Sequence, residues 1–282
     1  MRLDTHQHFW RYKADEFPWI QAQDQHLARD FLPDDLAPLL QAARMEGCIA
    51  VQARCLVEET DFLLALADDY PWIMGVVGWV ELRHGDATPV LEKYRQKQTL
   101  KGIRHILQDE ADCKEIMERE EFLANLKRVQ EQQLVYEVLL KHHQLKYAGH
   151  FCSHLDQFSL VLDHIGKPPM HARDHEAFAS WRHDIKLIAK NTQVFCKISG
   201  LVTEMNDVHA ENQSFFPYLD ACLDLFGIDR IMFGSDWPVC NLVSSYAKVV
   251  EIIESWSSAF SADEKAKIWG QNAQTCYSLK ES

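Results

Sequence analysis

Two histidines separated by one residue, His6 and His8, lie in the first ten residues of the chain. If residues 3–9 form a β-strand, side chains alternate between its faces, and Asp4, His6 and His8 project from the same face. Two imidazoles on one buried face need partners, which a metal ion, a bound substrate or a carboxylate can supply. The spacing predicts a functional site here, although a His-x-His pair in a surface strand can also arise by chance.

The elements that would position these side chains follow from the hydrophobic pattern. Apolar positions Leu36, Leu39, Leu40 and Ala43 have helical spacing and end at Gly47, and similar helical segments alternate with short apolar strands. The predicted strands are residues 3–9, 48–53, 72–80, 101–107, 134–140, 159–164, 194–199 and 230–234.

Eight strands that are apolar throughout and separated by helices are typical of a parallel sheet covered on both sides. We therefore predict an α/β protein, a single (β/α)8 TIM barrel forming one domain over residues 1–282. A doubly wound open sheet also alternates strands and helices. It usually has fewer strands, and no Gly-x-Gly-x-x-Gly follows a strand here. The aromatic-rich connection after the first strand is longer than usual, which indicates a functional loop.

Polar residues gather where the predicted strands end, which is where barrel enzymes build their active sites. Each has a structural alternative: Asp163 could cap a loop, Arg104 could pair with Glu137, and Lys197 could point outward. Together they favour a catalytic site. The residues at the strand ends are His6, His8, Gln52, Arg54, Trp79, Glu81, Arg104, His105, Glu137, Asp163, His164, Lys197, Ser199 and Asp236.

Composition narrows the class of protein further. A hydrophobic fraction of 47% and a charged fraction of 25% are typical of a globular chain. A net charge of −13 without a polybasic run argues against nucleic acid or an anionic membrane as partner. Eight scattered cysteines with no Cys-x-x-Cys, and no leader segment before the first strand, indicate reduced thiols in a cytoplasmic protein. The oligomeric state stays open.

Six segments together resemble the sugar-lactonase branch of the amidohydrolase superfamily, and within it the L-fuconolactonases. The resemblance covers nearly the whole chain. The segments are residues 4–10 (DTHQHFW), 76–80 (VVGWV), 102–105 (GIRH), 162–168 (LDHIGKP), 197–201 (KISGL) and 234–240 (GSDWPVC).

The resemblance implies a (β/α)8 hydrolase that opens a sugar lactone, L-fuconolactone or a related deoxy-aldonolactone, to its aldonate. The superfamily's two-metal pattern has a bridging lysine or carboxylate after strand 4 and a histidine after strand 5. This chain has Arg104-His105 and Val138-Leu139-Leu140 there. We therefore expect at most one divalent ion, zinc, held by His6, His8 and Asp236, or metal-independent chemistry.

Lactone hydrolysis needs an activated water, a polarised carbonyl and a protonated leaving group. Asp236 is the predicted general base because strand 8 can place its carboxylate over the barrel mouth. His6, His8, His164 and Arg104 are predicted to polarise the carbonyl, directly or through the ion. The predicted substrate-binding residues are Trp10, Gln52, Trp79, His105 and Trp237.

Several alternatives remain at this stage. Arg104 and His105 alternate, so only one of them can face the barrel axis. Any of the tryptophans could simply fill the core. The histidines after strands 5 and 6 fit solvated loops, although His150 or His154 could reach the substrate. A metal-dependent decarboxylase of the same superfamily and a non-catalytic carbohydrate-binding barrel are the competing functions.

Overall fold

Eight parallel strands pair in chain order in one sheet of the computed structural model, which describes residues 1–21, 23–155, 159–170 and 174–279. The sheet closes where His8 N donates to Trp237 O at 2.7 Å and Asp236 N donates to His6 O at 2.7 Å. The predicted (β/α)8 barrel is confirmed. The strands are β1 (Leu3–Gln7), β2 (Gly47–Val51), β3 (Ile73–Gly78), β4 (Leu100–His105), β5 (Val135–Val138), β6 (Leu160–Leu162), β7 (Val194–Ile198) and β8 (Ile231–Phe233).

Amphipathic helices surround the strands. In α5, for example, Phe122, Leu126 and Val129 are fully buried, while acidic residues occupy the first turn and Arg128 the last, as the helix dipole favours. The α-helices are α1 (Pro33–Ala42), α2 (Val57–Asp69), α3 (Thr88–Tyr94), α4 (Cys113–Glu118), α5 (Glu120–Glu131), α6 (Leu145–Ser153), α7 (His175–Ala189), α8 (Leu201–Met205), α9 (Phe216–Phe226), α10 (Tyr246–Trp256), α11 (Ala262–Ala266) and α12 (Asn272–Cys276).

The barrel interior changes from apolar to polar along its axis. Ile49 and Val51 belong to an inner cluster with Val77, Val135 and other strand residues, whereas alternate strand residues join the outer core against the helices. Tyr277, which follows α12, packs into the same inner cluster. The amino-terminal end of the barrel is thus filled by apolar side chains, and the charged residues lie nearer the carboxyl ends of the strands.

A bulge in β1 corrects the predicted strand geometry. Asp4 pairs with Cys48 and Gln7 with Ala50, so three steps along β1 oppose two along β2. Asp4 consequently faces the outer layer, where it lies near Tyr246 of α10, while His6 turns into the barrel. The prediction that Asp4 shares a face with the two histidines is wrong, because it assumed an unbroken two-residue period.

The connection after β1 folds back over the barrel mouth. Trp10 and Phe31 exchange backbone hydrogen bonds of 2.9 Å, and the Trp10 ring packs against the rings of Phe31 and Phe17. Trp19 is half-buried and donates from its indole nitrogen to the carbonyl oxygen of Ala53, 3.0 Å away. None of the helices in the described ranges combines the length and apolar character needed to cross a membrane.

Candidate active site

A cleft with a cavity volume of about 130 Å³ opens at the carboxyl ends of the strands. One part of its wall is apolar, and the rest carries charged and polar groups. The lining residues are His8, Trp19, Ala53, Arg104, Ile106, Gln108, Asp109, Leu139, His164, Lys167, Asp236 and Val239.

Asp236 and His8 form the centre of the cleft. His8 Nδ1 lies 2.8 Å from the carbonyl oxygen of Val51, which can only accept, so Nδ1 donates and carries the proton. His8 Nε2 then faces Asp236 Oδ1 at 3.3 Å. Burial alone would raise the pKa of Asp236, but His164, His8 and His6 together lower it below its ordinary range. The carboxylate therefore remains ionised at neutral pH.

His6 lies between two cations inside the barrel. Arg104 Nη1 is 3.3 Å from its Nε2, and Lys197 Nζ is 3.3 Å from its Nδ1. Asp163 Oδ1 lies 3.4 Å from Nδ1, so the consistent arrangement has Nδ1–H donating to Asp163 and Nε2 accepting from Arg104. Burial lowers the pKa of His6 well below its ordinary value, which keeps the ring neutral.

Arg104 faces the barrel axis and His105 does not, in agreement with the expectation that only one of these adjacent residues can do so. The Arg104 guanidinium donates to the side chain and main chain of Gln52 and, at 2.9 Å, to Asp163. His105 instead contacts Glu110 at 2.6 Å and the ring of Phe122. The alternative pairing of Arg104 with Glu137 is wrong, because Asp163 takes the guanidinium and Glu137 takes Lys197.

His164 lies in a left-handed turn rather than in the predicted strand, which ends at Leu162. Residues 164–167 all have positive φ, with values of 53°, 48°, 71° and 48°. For residues other than glycine this conformation costs about 1–2 kcal/mol each. Asp236 is also left-handed, with φ 60°. Such strain persists only where the surrounding structure imposes it and is typical of functional sites.

The His164 ring is held from two sides. Its Nδ1 lies 2.9 Å from Ser199 Oγ, and its Nε2 lies 4.0 Å from Asp236 Oδ1. Gly200 permits this arrangement, because a Cβ there would lie 2.6 Å from His164 Nδ1. Burial lowers the pKa of His164 to about 4, so the imidazole is neutral at pH 7.

A second buried ion network lies below the cleft. Lys197 Nζ donates to Glu137 Oε1 at 2.6 Å and lies 3.6 Å from Asp163 Oδ1, and all three side chains are fully buried. Tyr277 also donates its hydroxyl to Glu137. The alternative that Lys197 points outward is therefore wrong. These residues support His6 and Asp163 from below.

The donor set of the cleft fits one divalent ion. Ligand atoms of His6, His8 and Asp236 lie within 4.8 Å of one another. His8 Nε2 and Asp236 Oδ1 are two acceptors facing each other, which a proton or a cation between them would satisfy. His6 could join only by giving up the contact between its Nε2 and Arg104. His6, Asp163 and His164 form a second candidate group with the same spread.

The five predicted substrate-binding side chains lie behind the cleft wall in the described structure. Trp10 and Trp237 pack into the aromatic layer with Phe31, and Trp79 is buried with its backbone bonded to Thr60. The Gln52 side chain accepts a hydrogen bond from Arg104, and the His105 ring is hydrogen-bonded to Glu110. Their contact with substrate stays a prediction. Two of them contact lining residues: Gln52 contacts Arg104, and the Trp10 ring contacts that of Trp19.

Some lining residues had no predicted role, among them Trp19, Gln108, Asp109 and Lys167. Trp19 belongs to the connection predicted to be a functional loop, but that loop also contains Trp10, and the sequence alone does not show which of the two lines the cleft. Lys167 follows His164 within one of the segments quoted above. His150 lies on α6 and His154 directly follows that helix, and both line a separate surface pocket away from the cleft. His171, one of the histidines after the sixth predicted strand that fit a solvated loop, lies outside the described residues.

Comparison with known proteins identifies relatives along almost the whole chain. The model of the amidohydrolase family matches residues 3–279. L-fucono-1,5-lactonase from Burkholderia multivorans is 44% identical, over 100% of this chain and 97% of the relative. L-fucono-1,5-lactonase from Burkholderia ambifaria is 30% identical, over 99% of this chain and 96% of the relative.

A solved structure shows the same architecture. The crystal structure of an amidohydrolase from Burkholderia multivorans with bound zinc superposes with a TM-score of 0.95 at 44% identity, covering 99% of this chain and 100% of that one. Fold and sequence therefore agree along almost the entire length. This chain belongs to the amidohydrolase family.

Proposed function

We propose that this protein hydrolyses a sugar lactone, L-fucono-1,5-lactone or a related deoxy-aldonolactone, to the aldonate. The full-length similarity to two L-fucono-1,5-lactonases supports this substrate class. The observation that carries the proposal is the buried Asp236 carboxylate, held ionised in the cleft among three histidines. A binding protein would gain little from a strained, desolvated base, whereas a hydrolase requires one.

Asp236 acts as the general base. Its carboxylate takes a proton from a water as that water attacks the lactone carbonyl carbon. Because its pKa is low, Asp236 is a weak base, so its contribution comes from its fixed position in the cleft. The His8 ring is anchored to Val51 and places its Nε2 3.3 Å from Asp236 Oδ1, so that the two atoms can hold a cation between them.

Arg104 and His164 stabilise the oxyanion that forms on the carbonyl oxygen. The Arg104 nitrogens already donate to Gln52, Asp163 and His6, so it offers its positive charge in a low-dielectric site. If Ser199 donates to His164 Nδ1, then His164 Nε2 carries a hydrogen that it can donate to the oxyanion.

A zinc ion, when present, would be held by His8 and Asp236 with His6 as the third ligand. The bound zinc in the Burkholderia multivorans structure supports this choice of ion. Such an ion supplies Lewis-acid polarisation of a carbonyl oxygen. The chain's own residues, and not the ion, supply the position of Asp236 and the buried cations around His6, which are Arg104 and Lys197.

We further propose that the enzyme acts as one catalytic domain in the cytoplasm on a small-molecule substrate. The described cysteines are unpaired thiols, and seven of the eight are buried, as expected in a reducing compartment. Nucleic acid and membranes are not proposed as partners, because the chain has a net charge of −13.

A pH-indicator assay of the purified protein against a panel of 1,4- and 1,5-aldonolactones tests this function, because hydrolysis releases one proton per turnover. L-fucono-1,5-lactone is expected to be hydrolysed faster than its 6-hydroxy counterpart, L-galactono-1,5-lactone. An aromatic carboxylic acid serves as a decarboxylation control, followed by its absorbance. Absence of turnover on every lactone, or decarboxylation of the aromatic acid, would contradict the proposal.

A further inference from the structure

The left-handed turn at residues 164–167 delivers a second side chain to the cleft besides His164. Lys167 lies at its last position, and its backbone N–H donates to His164 O at 2.8 Å. Packing fixes the turn: Ile165 is fully buried, its carbonyl oxygen accepts from Trp181 Nε1 at 2.8 Å, and a Cβ on Gly166 would lie 2.9 Å from Leu145. The strained backbone thus places two functional groups, His164 and Lys167, on the same wall.

Among the described residues, only Glu204 forms an ion pair with the ammonium group of Lys167, and that pair is loose. Its ion pair with Glu204 of α8 has an Nζ to Oε1 distance of 3.7 Å, which is longer than a hydrogen bond. Both side chains are about one quarter exposed, at 23% each. An ammonium has three N–H donors, so Lys167 can contact a ligand without losing a strong bond.

Lactone opening needs a proton at the ring oxygen, and few cleft residues can supply one. Arg104 does not release its protons, and the Gln108 amide is not an acid. His8 has Nδ1 bonded to Val51 and Nε2 facing Asp236, and His164 is held between Ser199 and Asp236. These histidines face the base. Lys167 is the remaining proton-bearing cation among the described lining residues.

We propose that Lys167 is a catalytic residue that protonates the leaving ring oxygen of the lactone. This inference rests on the proposed lactonase function. Water oxygen bonds to the carbonyl carbon and gives one proton to Asp236. The bond between the carbonyl carbon and the ring oxygen then breaks, and the ring oxygen takes a proton from Lys167 Nζ. The neutral amine recovers a proton from Asp236 or from water, and the product is the aldonate plus one released proton.

Two substrates that differ only in the leaving atom test this role. L-fucono-1,5-lactone expels an alkoxide, which needs an acid, whereas its 5-thio analogue, with sulfur in place of the ring oxygen, expels a thiolate, which does not. Lys167→Met is expected to lower kcat about 10²- to 10⁴-fold on the oxygen lactone and less than about tenfold on the thiolactone. Lys167→Arg keeps the charge but offers no transferable proton, so it should behave like Lys167→Met.

The matched control is Lys93→Met on α3, where the lysine is exposed and bonded to Asp61, and its kcat should equal that of the parent. Thermal melting of each Lys167 variant excludes misfolding as the cause of lost activity. Equal losses of kcat on both substrates would overturn the proposal, because the effect of Lys167 would then be independent of the leaving atom. Recovery of activity by Lys167→Arg would overturn it as well. If the parent protein hydrolyses no lactone, the proposed function itself is refuted, and this result is distinguished from a failure of the Lys167 proposal because it does not depend on any variant.

Discussion

Lys197→Met is expected to show that the ion network under the cleft holds the barrel interior together. The substitution removes an ammonium that lies 2.6 Å from Glu137 Oε1 and 3.6 Å from Asp163 Oδ1, with both carboxylates fully buried. Removing one partner from a buried ion pair typically costs about 3–5 kcal/mol, because the remaining charge is left uncompensated. Asp163 keeps Arg104, so the loss falls mainly on Glu137.

The pH dependence of this loss follows from the titration of Glu137. Burial, and after it the charge of Asp163, raise the pKa of Glu137 to about 7 even with Lys197 present. Without Lys197 the pKa of Glu137 rises further. The side chain is then protonated at pH 6, whereas at pH 8 the folded state must either bury an unpaired carboxylate or keep it protonated, and both cost free energy. A carboxyl with a raised pKa loses its stability contribution as the pH rises through that value. The destabilisation by Lys197→Met should therefore be larger at pH 8 than at pH 6.

Urea denaturation at both pH values measures this effect, with the slope m checked for constancy. The double variant Lys197→Met/Glu137→Gln removes both charges and leaves Tyr277 an acceptor, so it should recover at least half of the lost stability. Lys93→Met breaks an exposed lysine pair with Asp61 and serves as the surface control. A loss below about 1 kcal/mol for Lys197→Met at pH 8, or no recovery in the double variant, would refute the reasoning.

Three further predictions concern the cleft. Trp19→Ala removes an aromatic wall and should lower kcat/KM about 10- to 100-fold, mainly through KM, as expected for about 1.5–3 kcal/mol of lost apolar contact; an unchanged KM would exclude Trp19 from substrate binding. The pKa of His164, lowered to about 4 by burial, and that of Asp236, lowered by its histidines, place the acid limb of kcat/KM below about pH 5; a limb near pH 6.5 would contradict both. Protein saturated with zinc should hold one ion per chain by elemental analysis and His8→Ala none; two tightly bound ions would contradict the site.

The barrel could be predicted because its signals are local. Eight apolar strands, each followed by a helical period, need no knowledge of distant contacts, and the strand ends placed His6, His8, Arg104, His164 and Asp236 at one edge. The structure brings these five together around the cleft and its floor. The residue types of the site could therefore be predicted from the sequence, whereas the distances between them required the structure.

The remaining features depend on contacts that the local pattern does not contain. The β1 bulge needs two strands to be compared, and Ile165 at φ 48° contradicts the preference of β-branched residues. Trp10 and Trp19 have the same chemistry, and only the fold decides that one is buried and the other lines the cleft. Lys197 and Glu137 are polar residues in apolar strands, whose partners lie 60 positions apart.

The central claim is that Asp236 is the base of a lactone hydrolase, and kcat for Asp236→Asn on L-fucono-1,5-lactone tests it most directly. Asparagine keeps the size of the side chain but cannot accept the proton from water. We predict a fall in kcat of about 10²- to 10⁴-fold, with a much smaller change in KM and an unchanged fold by circular dichroism. A variant that hydrolyses the lactone within a few-fold of the parent, or that loses only substrate binding, would contradict the account.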